Sequence, residues 1–256
     1  MSDHMTSSVP YVVTNIDGLE PPKVDISYVR HAGQDGGIVQ ATRTGSRTVL
    51  LDIGYRPGLA PTASVSTLRQ ALYSYFPLKG EVQLRILMDD HPTVTVKGIV
   101  ELINPLIFTK EPTIQVQIFS PLPYLDGLTN VSFGGMNEAV INPMPFLGSA
   151  ETGFVFQTTV NRTIPLLKLK NGVQNDIVYQ RALIAGDKIS ISTVPGIKYV
   201  NITRAGVTTP DIDGLANGST LDMVLDARVS AFHANYGASP NDIPFTVTFR
   251  PKYIGI

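Results

Sequence analysis

In the stretch FTVTFRPKYIGI, residues 245–256, Phe245, Val247 and Phe249 alternate with Thr246, Thr248 and Arg250. A period of two puts the three apolar side chains on one face of an extended strand, so this segment is expected to form part of a half-buried sheet. The same period recurs in short runs along the chain, and 22 glycines and 19 prolines cut those runs without gathering into a low-complexity linker. Many short strands joined by tight turns is the reading that follows, a mainly β protein. At 256 residues the chain fits two domains of ordinary size or one large β sandwich, and either is long enough to bury a sizeable core.

The run Thr48–Tyr55 is a strand closed by Arg56-Pro57-Gly58. Val82, Leu84, Ile86 and Met88 alternate with Gln83, Arg85 and Leu87; the chain turns at DDHP, and Val94 and Val96 resume the pattern. Those two runs predict a hairpin. Between them Val65, Leu68, Leu72 and Tyr75 or Phe76 recur at helical spacing, with Ser64 placed to cap the start and Pro77 to end it. The strands 99–103 and 113–119 follow, joined by residues 104–112. Leu106, Ile107 and Phe108 stand in that connection where a solvated turn carries polar residues, so they are expected to meet a neighbouring subunit, the alternative being a loop folded back over its own core.

After SPLPYLDG, residues 120–127, the strands lengthen and carry more Asn, Gly and Thr, which places a domain boundary there. The expected division is a flexible N-terminus over 1–10, a first β domain over 11–125 with one helix and the hairpin, and a second over 126–256. Strands are predicted at 154–159, 187–193, 198–203, 219–225 and 245–249, a pattern that suits a sandwich or jelly roll. In the stretch 221–237, Leu221, Met223 and Leu225 alternate, which favours strand over helix.

Chemistry finds little support. The chain has no cysteine, which removes a disulfide framework, a thiolate zinc site and a cysteine nucleophile. His4, His31, His91 and His233 are far apart in sequence, and Asp89-Asp90-His91 reads as a polar turn. No Gly-x-Ser-x-Gly elbow occurs. The glycines in GQDGGIVQ, 33–40, and VSFGGMNEA, 131–139, have no phosphate-loop lysine after them and read as tight turns. No enzymatic activity, cofactor or metal is expected. The sequons at Asn130, Asn161, Asn201 and Asn217 read as chance matches, because MSDHMTSSVP lacks the basic and apolar regions of a secretory signal.

Net charge is −1, so no basic field calls for nucleic acid or an anionic membrane. Arg43 and Arg47, with Arg30 upstream, make a sparse basic strip expected to be solvated or ion-paired. No apolar run approaches the roughly 18 residues of a membrane helix. Only 16% of residues are charged, against about a quarter in an ordinary soluble domain. With 43% apolar residues, part of the surface is expected to face other protein, an aggregation-prone β protein being the alternative.

YVVTNIDGLEPPKVDISYVRHAGQDGGIV, then RTVLLDIGY, the helix, the hairpin and IFSPLPYLDG together resemble the N-terminal domain of the distal tail proteins of long non-contractile-tailed, siphovirus-type phages. LIAGDKISIST and FTVTFRPKYIGI are similar to the strands of that family's second domain, and Leu122 departs from the acidic residue often found in the exit motif. The resemblance, from about Tyr11 onward, implies a ring-forming N-terminal β domain and a C-terminal galectin-like or jelly-roll β-sandwich. It implies a virion structural protein at the tail tip, or baseplate, made in the bacterial host cytoplasm. There a homohexamer would join the tail tube protein to the host-adhesion apparatus and leave a channel through which DNA passes without specific binding. A tail-associated hub protein, a tape measure protein and receptor-binding proteins are the other implied partners. A carbohydrate-binding jelly-roll module is the alternative function, although tryptophan, a common platform for sugar rings, is absent.

Overall fold

The structure is a computed structural model and describes residues 10–31, 33, 35–56, 64–106, 112–136, 145–172, 176–229, 231–237 and 243–256. It is mainly β, and the chain separates into two compact units. One takes in the chain up to Leu125 together with Ile254–Ile256; the other is Asp126–Tyr253.

The first unit contains β1 (Tyr11–Asp17), β2 (Val24–Val29), β3 (Ile38–Thr44), β4 (Arg47–Tyr55), α1 (Val65–Tyr75), β5 (Glu81–Ile86), β6 (Val94–Leu106) and β7 (Thr113–Ser120). Its main sheet runs β1-β4-β7-β6, with β5 also on β6, and all of these pairings are antiparallel. Val49, Leu51 and Ile53 of β4 and Ile114, Val116 and Ile118 of β7 are buried on one face, as their alternation requires. Ser64 caps α1 by accepting from the Thr67 N–H at 3.1 Å, and Leu68 and Leu72 are its buried residues. Phe76, just before Pro77, has already left helical geometry at φ −124° and ψ 69°. Tyr11 ties the helix to the sheet: its hydroxyl donates to Leu68 O at 2.8 Å, and its ring meets Tyr55 and Tyr75 edge-on.

The predicted hairpin is β5 and β6, paired from Glu81↔Ile99 to Ile86↔Val94. Its second strand does not stop at Val96. β6 continues for 13 residues, so the runs read as two strands at 94–96 and 99–103 are one, pairing with β5 over its first half and β7 over its second. A bulge between Val100 and Leu102 makes this possible, because it changes which face the alternating residues occupy midway along the strand.

Arg47 is not solvated, and among the described residues it makes no ion pair. It is 3% exposed, and its guanidinium donates to four main-chain carbonyls: Pro123 O from Nε at 3.0 Å, Gly18 O and Glu20 O from Nη1 at 2.6 and 2.9 Å, and Ile254 O from Nη2 at 2.6 Å. The planar fork thus fastens three separate segments of the first unit, including residues 254–256, to the start of β4. Ile256 N also donates to Leu19 O. Arg30 and Arg43 are exposed as expected, with Arg30 over the Tyr28 ring.

β8 (Leu125–Gly127) leads out of the first unit. The second holds β9 (Val131–Met136), β10 (Phe154–Thr159), β11 (Leu167–Lys170), β12 (Ile177–Tyr179), β13 (Lys188–Ser192), β14 (Tyr199–Arg204), β15 (Val207–Pro210), β16 (His233–Asn235), β17 (Pro244–Phe249) and β18 (Lys252–Tyr253). A sheet ordered β15-β14-β13-β10-β17-β9 and a smaller one ordered β12-β11-β16 share a single core, a β-sandwich. Phe245, Val247 and Phe249 of β17 point into it, with Phe154 and Phe156 of neighbouring β10.

Two expectations fail here for identifiable reasons. Residues 219–225 are no strand, although Leu221, Met223 and Leu225 are all buried; only Leu225 forms a bridge, to Thr152. Alternation there reported burial, and burial does not require a ladder. Gly134 and Gly135, read as a turn, lie within β9 opposite Thr246 and Phe245. A Cβ on Gly134 would stand 2.5 Å from Phe245 O, so glycine is needed for close approach of two strands.

The turn before β13 is held by Asp187, whose carboxylate accepts from Ile184 N at 2.9 Å and from Nε and Nη2 of Arg204 at 2.8 and 2.6 Å. The Arg204 hydrogen bonds hold its carboxyl below the ordinary carboxylate value, and Asp226 is lowered in the same way by Arg228. In acid the unfolded chain therefore binds more protons than the folded one, and stability rises with pH. The contribution of these carboxylates is complete above their unfolded pKa near 4 and is lost as pH falls through the lower folded values. Melting temperatures measured from pH 7 down to pH 2 are expected to fall steeply only below about pH 4, and less steeply in Asp187→Asn. An unchanged acid limb in that variant would contradict the assignment.

Candidate assembly surface

β2 and β3 form a two-stranded sheet that joins no other sheet in the described residues. Except for Thr44, every residue of both strands is exposed. The exposed residues include Val24, Ile26, Tyr28, Val29, Ile38 and Val39, with Ile26 57% and Ile38 60% accessible. An isolated hairpin with apolar side chains in water is marginal alone, and so concentrated an apolar surface marks a site of contact with protein. Its register, Val24↔Thr44 through Val29↔Ile38 with an irregularity at Ser27/Tyr28, leaves the outer edge of each strand without a ladder partner.

A second apolar area lies on the outward face of β6 and β7. Ile99 pairs with Phe119, and beyond the bulge Leu102 pairs with Gln117 and Leu106 with Thr113. Ile99, Leu102, Leu106 and Phe119 are all exposed. Glu101 shares this face through the bulge, accepting from Gln117 Nε2 at 2.9 Å, and Asp52 accepts from Gln115 Nε2 at 3.0 Å further along. The face is therefore a polar ladder bordered by apolar side chains, the composition of a protein interface more than of a solvated sheet. Of the residues picked out in the sequence, Leu106 ends this stripe, while Ile107 and Phe108 lie outside the described residues.

Asp89, Asp90 and His91 sit in the bend between β5 and β6, with His91 Nδ1 2.9 Å from Pro92 O. Among the described residues no group of three or more His, Asp or Glu side chains is assembled as a metal site. No helix of the described residues is long and apolar enough to cross a membrane.

No family model and no curated protein matches the sequence. Solved structures do match in fold. The Dit (gp 19.1) protein of phage SPP1, described as a paradigm of the hub adsorption apparatus in phages infecting Gram-positive bacteria, aligns over 94% of this chain and 93% of its own, with a TM-score of 0.69 and 15% identity. A chain of the phage P2 baseplate in its activated conformation with Ca aligns over 97% of this chain and 92% of its own, with a TM-score of 0.45 and 8% identity. The expectation of a mainly β chain containing a sandwich is met, and that fold is shared with the SPP1 protein.

Proposed function

We propose that this chain is a structural component of a phage tail tip, a hub in which the first units of six copies close into a ring and the second units project from it. The observation that carries this reading is the likeness in fold to the SPP1 hub protein along nearly the whole of both chains. The apolar hairpin β2–β3 supports it independently, because a surface of that kind needs a protein partner. Contacts that repeat around an axis close into a ring or continue as a filament, so one interface type suffices for the object. Leu106, Ile107 and Phe108 belong to that interface, as do Ile26 and Ile38. The ring joins the tail tube to the adhesion apparatus in the virion, with the tape measure protein, a tail-associated hub protein and receptor-binding proteins as its neighbours. DNA passes through a channel with few exposed Arg or Lys, since a basic lumen would retain phosphates. The chain performs no catalysis in this role.

The reading of a sugar-binding jelly roll is less well supported. Of the aromatic residues described in the second unit, all are buried except Phe146 and Tyr199, which are half-buried, so none offers a fully open ring face for stacking.

Mass measurement over a concentration series, with negative-stain imaging in the presence of tail partners, tests the ring. Ile26→Asp combined with Ile38→Asp is expected to abolish rings while changing monomer stability by no more than about 0.5 kcal/mol, as for surface substitutions generally. Phe108→Ser is expected to weaken assembly in the same way. A monomer under every condition, absent from purified virions, would overturn the reading.

A further inference from the structure

We infer that the cleft at the end of β14 and β15 in the second unit is a binding site for an oxyanion, a carboxylate or a phosphodiester carried on a larger ligand. The cleft has a volume of about 350 Å3 and is lined by Tyr179, Arg181, Ile202, Arg204, Pro210 and Asp211 among others. That is room for an anionic group and the ring or short chain bearing it.

The argument rests on which polar atoms are already used. Asp211 accepts from Arg181 on one oxygen and from the Tyr179 hydroxyl, at 2.6 Å, on the other. Asp187, behind Arg204, is engaged on both oxygens, and its side chain is 2% exposed. Both carboxylates are thus turned to protein. The guanidinium groups are not exhausted in this way. Arg204 spends Nε and Nη2 on Asp187 and leaves Nη1 free, while Arg181 spends Nη1 and leaves Nε and Nη2, counting partners among the described residues. Arg181 and Arg204 are 56% and 54% exposed, so these donors meet solvent. Each oxygen of both carboxylates is engaged by protein and both side chains are largely buried, 15% exposed for Asp211 and 2% for Asp187, while guanidinium N–H groups face solvent, so the cleft favours a ligand that supplies acceptors.

The donors are also held in place. Arg204 is fixed by its two bonds to Asp187, and Arg181 by an Asp211 that Tyr179 anchors from behind. Tyr179 is seated tightly: a Cβ on Gly214 would fall 2.2 Å from its ring, so only glycine allows the 3₁₀ turn Ile212–Gly214 to pack there. Fixed donors lose little conformational entropy on binding. The two arginines and two aspartates cancel in formal charge, so affinity comes from directed hydrogen bonds and is modest. Among the described residues of this unit no ring is more than partly exposed, Phe146 and Tyr199 being half-buried, so a neutral sugar gains little from stacking. This inference is independent of the ring, since it concerns the second unit alone.

The test is titration of the full-length protein with glucuronate, dimethyl phosphate and glucose, followed by NMR of the arginine Nε–H groups. Saturable shifts of the Arg181 and Arg204 signals are expected with at least one of the two anions, at dissociation constants in about the millimolar range, and none with glucose. The anion that binds distinguishes an acidic sugar from a phosphodiester polymer as the source; binding of both supports a general oxyanion site. Arg181→Gln is expected to weaken binding about tenfold, and Arg181→Lys, which keeps charge but not the fork, by less. Removing Arg204 would strand the buried Asp187, so the Arg181 pair carries the test. Glucose binding as well as the anions, no saturable shift with either anion, or unchanged affinity in Arg181→Gln would each overturn the inference.

Discussion

Replacing Arg47 by alanine is expected to destabilise the first unit by about 3 kcal/mol or more, although no carboxylate partner is lost. The four carbonyls it serves belong to Gly18, Glu20, Pro123 and Ile254, and each is left to find water. A buried acceptor stripped of its donor costs about 1–3 kcal/mol, and water entering the vacated space recovers part of that. Arg47→Lys separates charge from geometry. An ammonium on a flexible stem cannot serve carbonyls lying in several directions, so lysine is expected to restore less than half of the loss. Burial lowers the Arg47 pKa from its ordinary value, yet it stays charged throughout the accessible pH range, so the loss should be the same at pH 6 and pH 9. Urea unfolding at both pH values measures it. A cost below about 1 kcal/mol, or full rescue by lysine, would show that the carbonyls are satisfied without the fork.

No sequence pattern could have announced that role. Arg47 opens a strand in which Val49, Leu51 and Ile53 are the informative residues, and a charged residue at that point reads as surface. Its partners are backbone groups, which leave no trace in residue identity. Local regularities were legible: α1 with its Ser64 cap, the β5–β6 hairpin, and the alternation of β7, β10 and β17 all follow from period and punctuation. What depends on pairing was not. The bulge at Val100/Leu102 joins two apparent strands into β6 and sends Leu102 outward, so the apolar stripe ending at Leu106 was visible only at its tip. β2 shows the same limit. VDISYV alternates like a half-buried strand, yet Val24, Ile26 and Tyr28 are all exposed in the single chain, and alternation alone does not say what a strand's face packs against. Exposure of a well-patterned strand is therefore itself an argument for assembly.

Phe232→Ala is expected to cost the second unit about 3–5 kcal/mol. Phe232 is fully buried just before β16, in the smaller sheet, and its ring meets Phe133, Phe154, Phe156 and Phe245, all on the larger one, at centroid distances of 5.8, 5.4, 6.5 and 6.0 Å. Two of those contacts are edge-to-face, the arrangement that ring quadrupoles favour. The ring is thus the plug between two sheets, and four strand-borne phenylalanines cannot all collapse into the space it leaves without breaking ladders that fix their backbones. Phe232→Leu fills most of that volume and is expected to cost less than half as much. Because the two units have separate cores, calorimetry of Phe232→Ala should show one transition moved down by roughly 10 °C or more and the other nearly in place. On the proposal that the first unit builds the ring, rings should then persist at temperatures where the second has melted. Loss of rings in step with that lower transition would mean that the second unit is needed to hold the assembly closed, and would move the interface away from β2–β3.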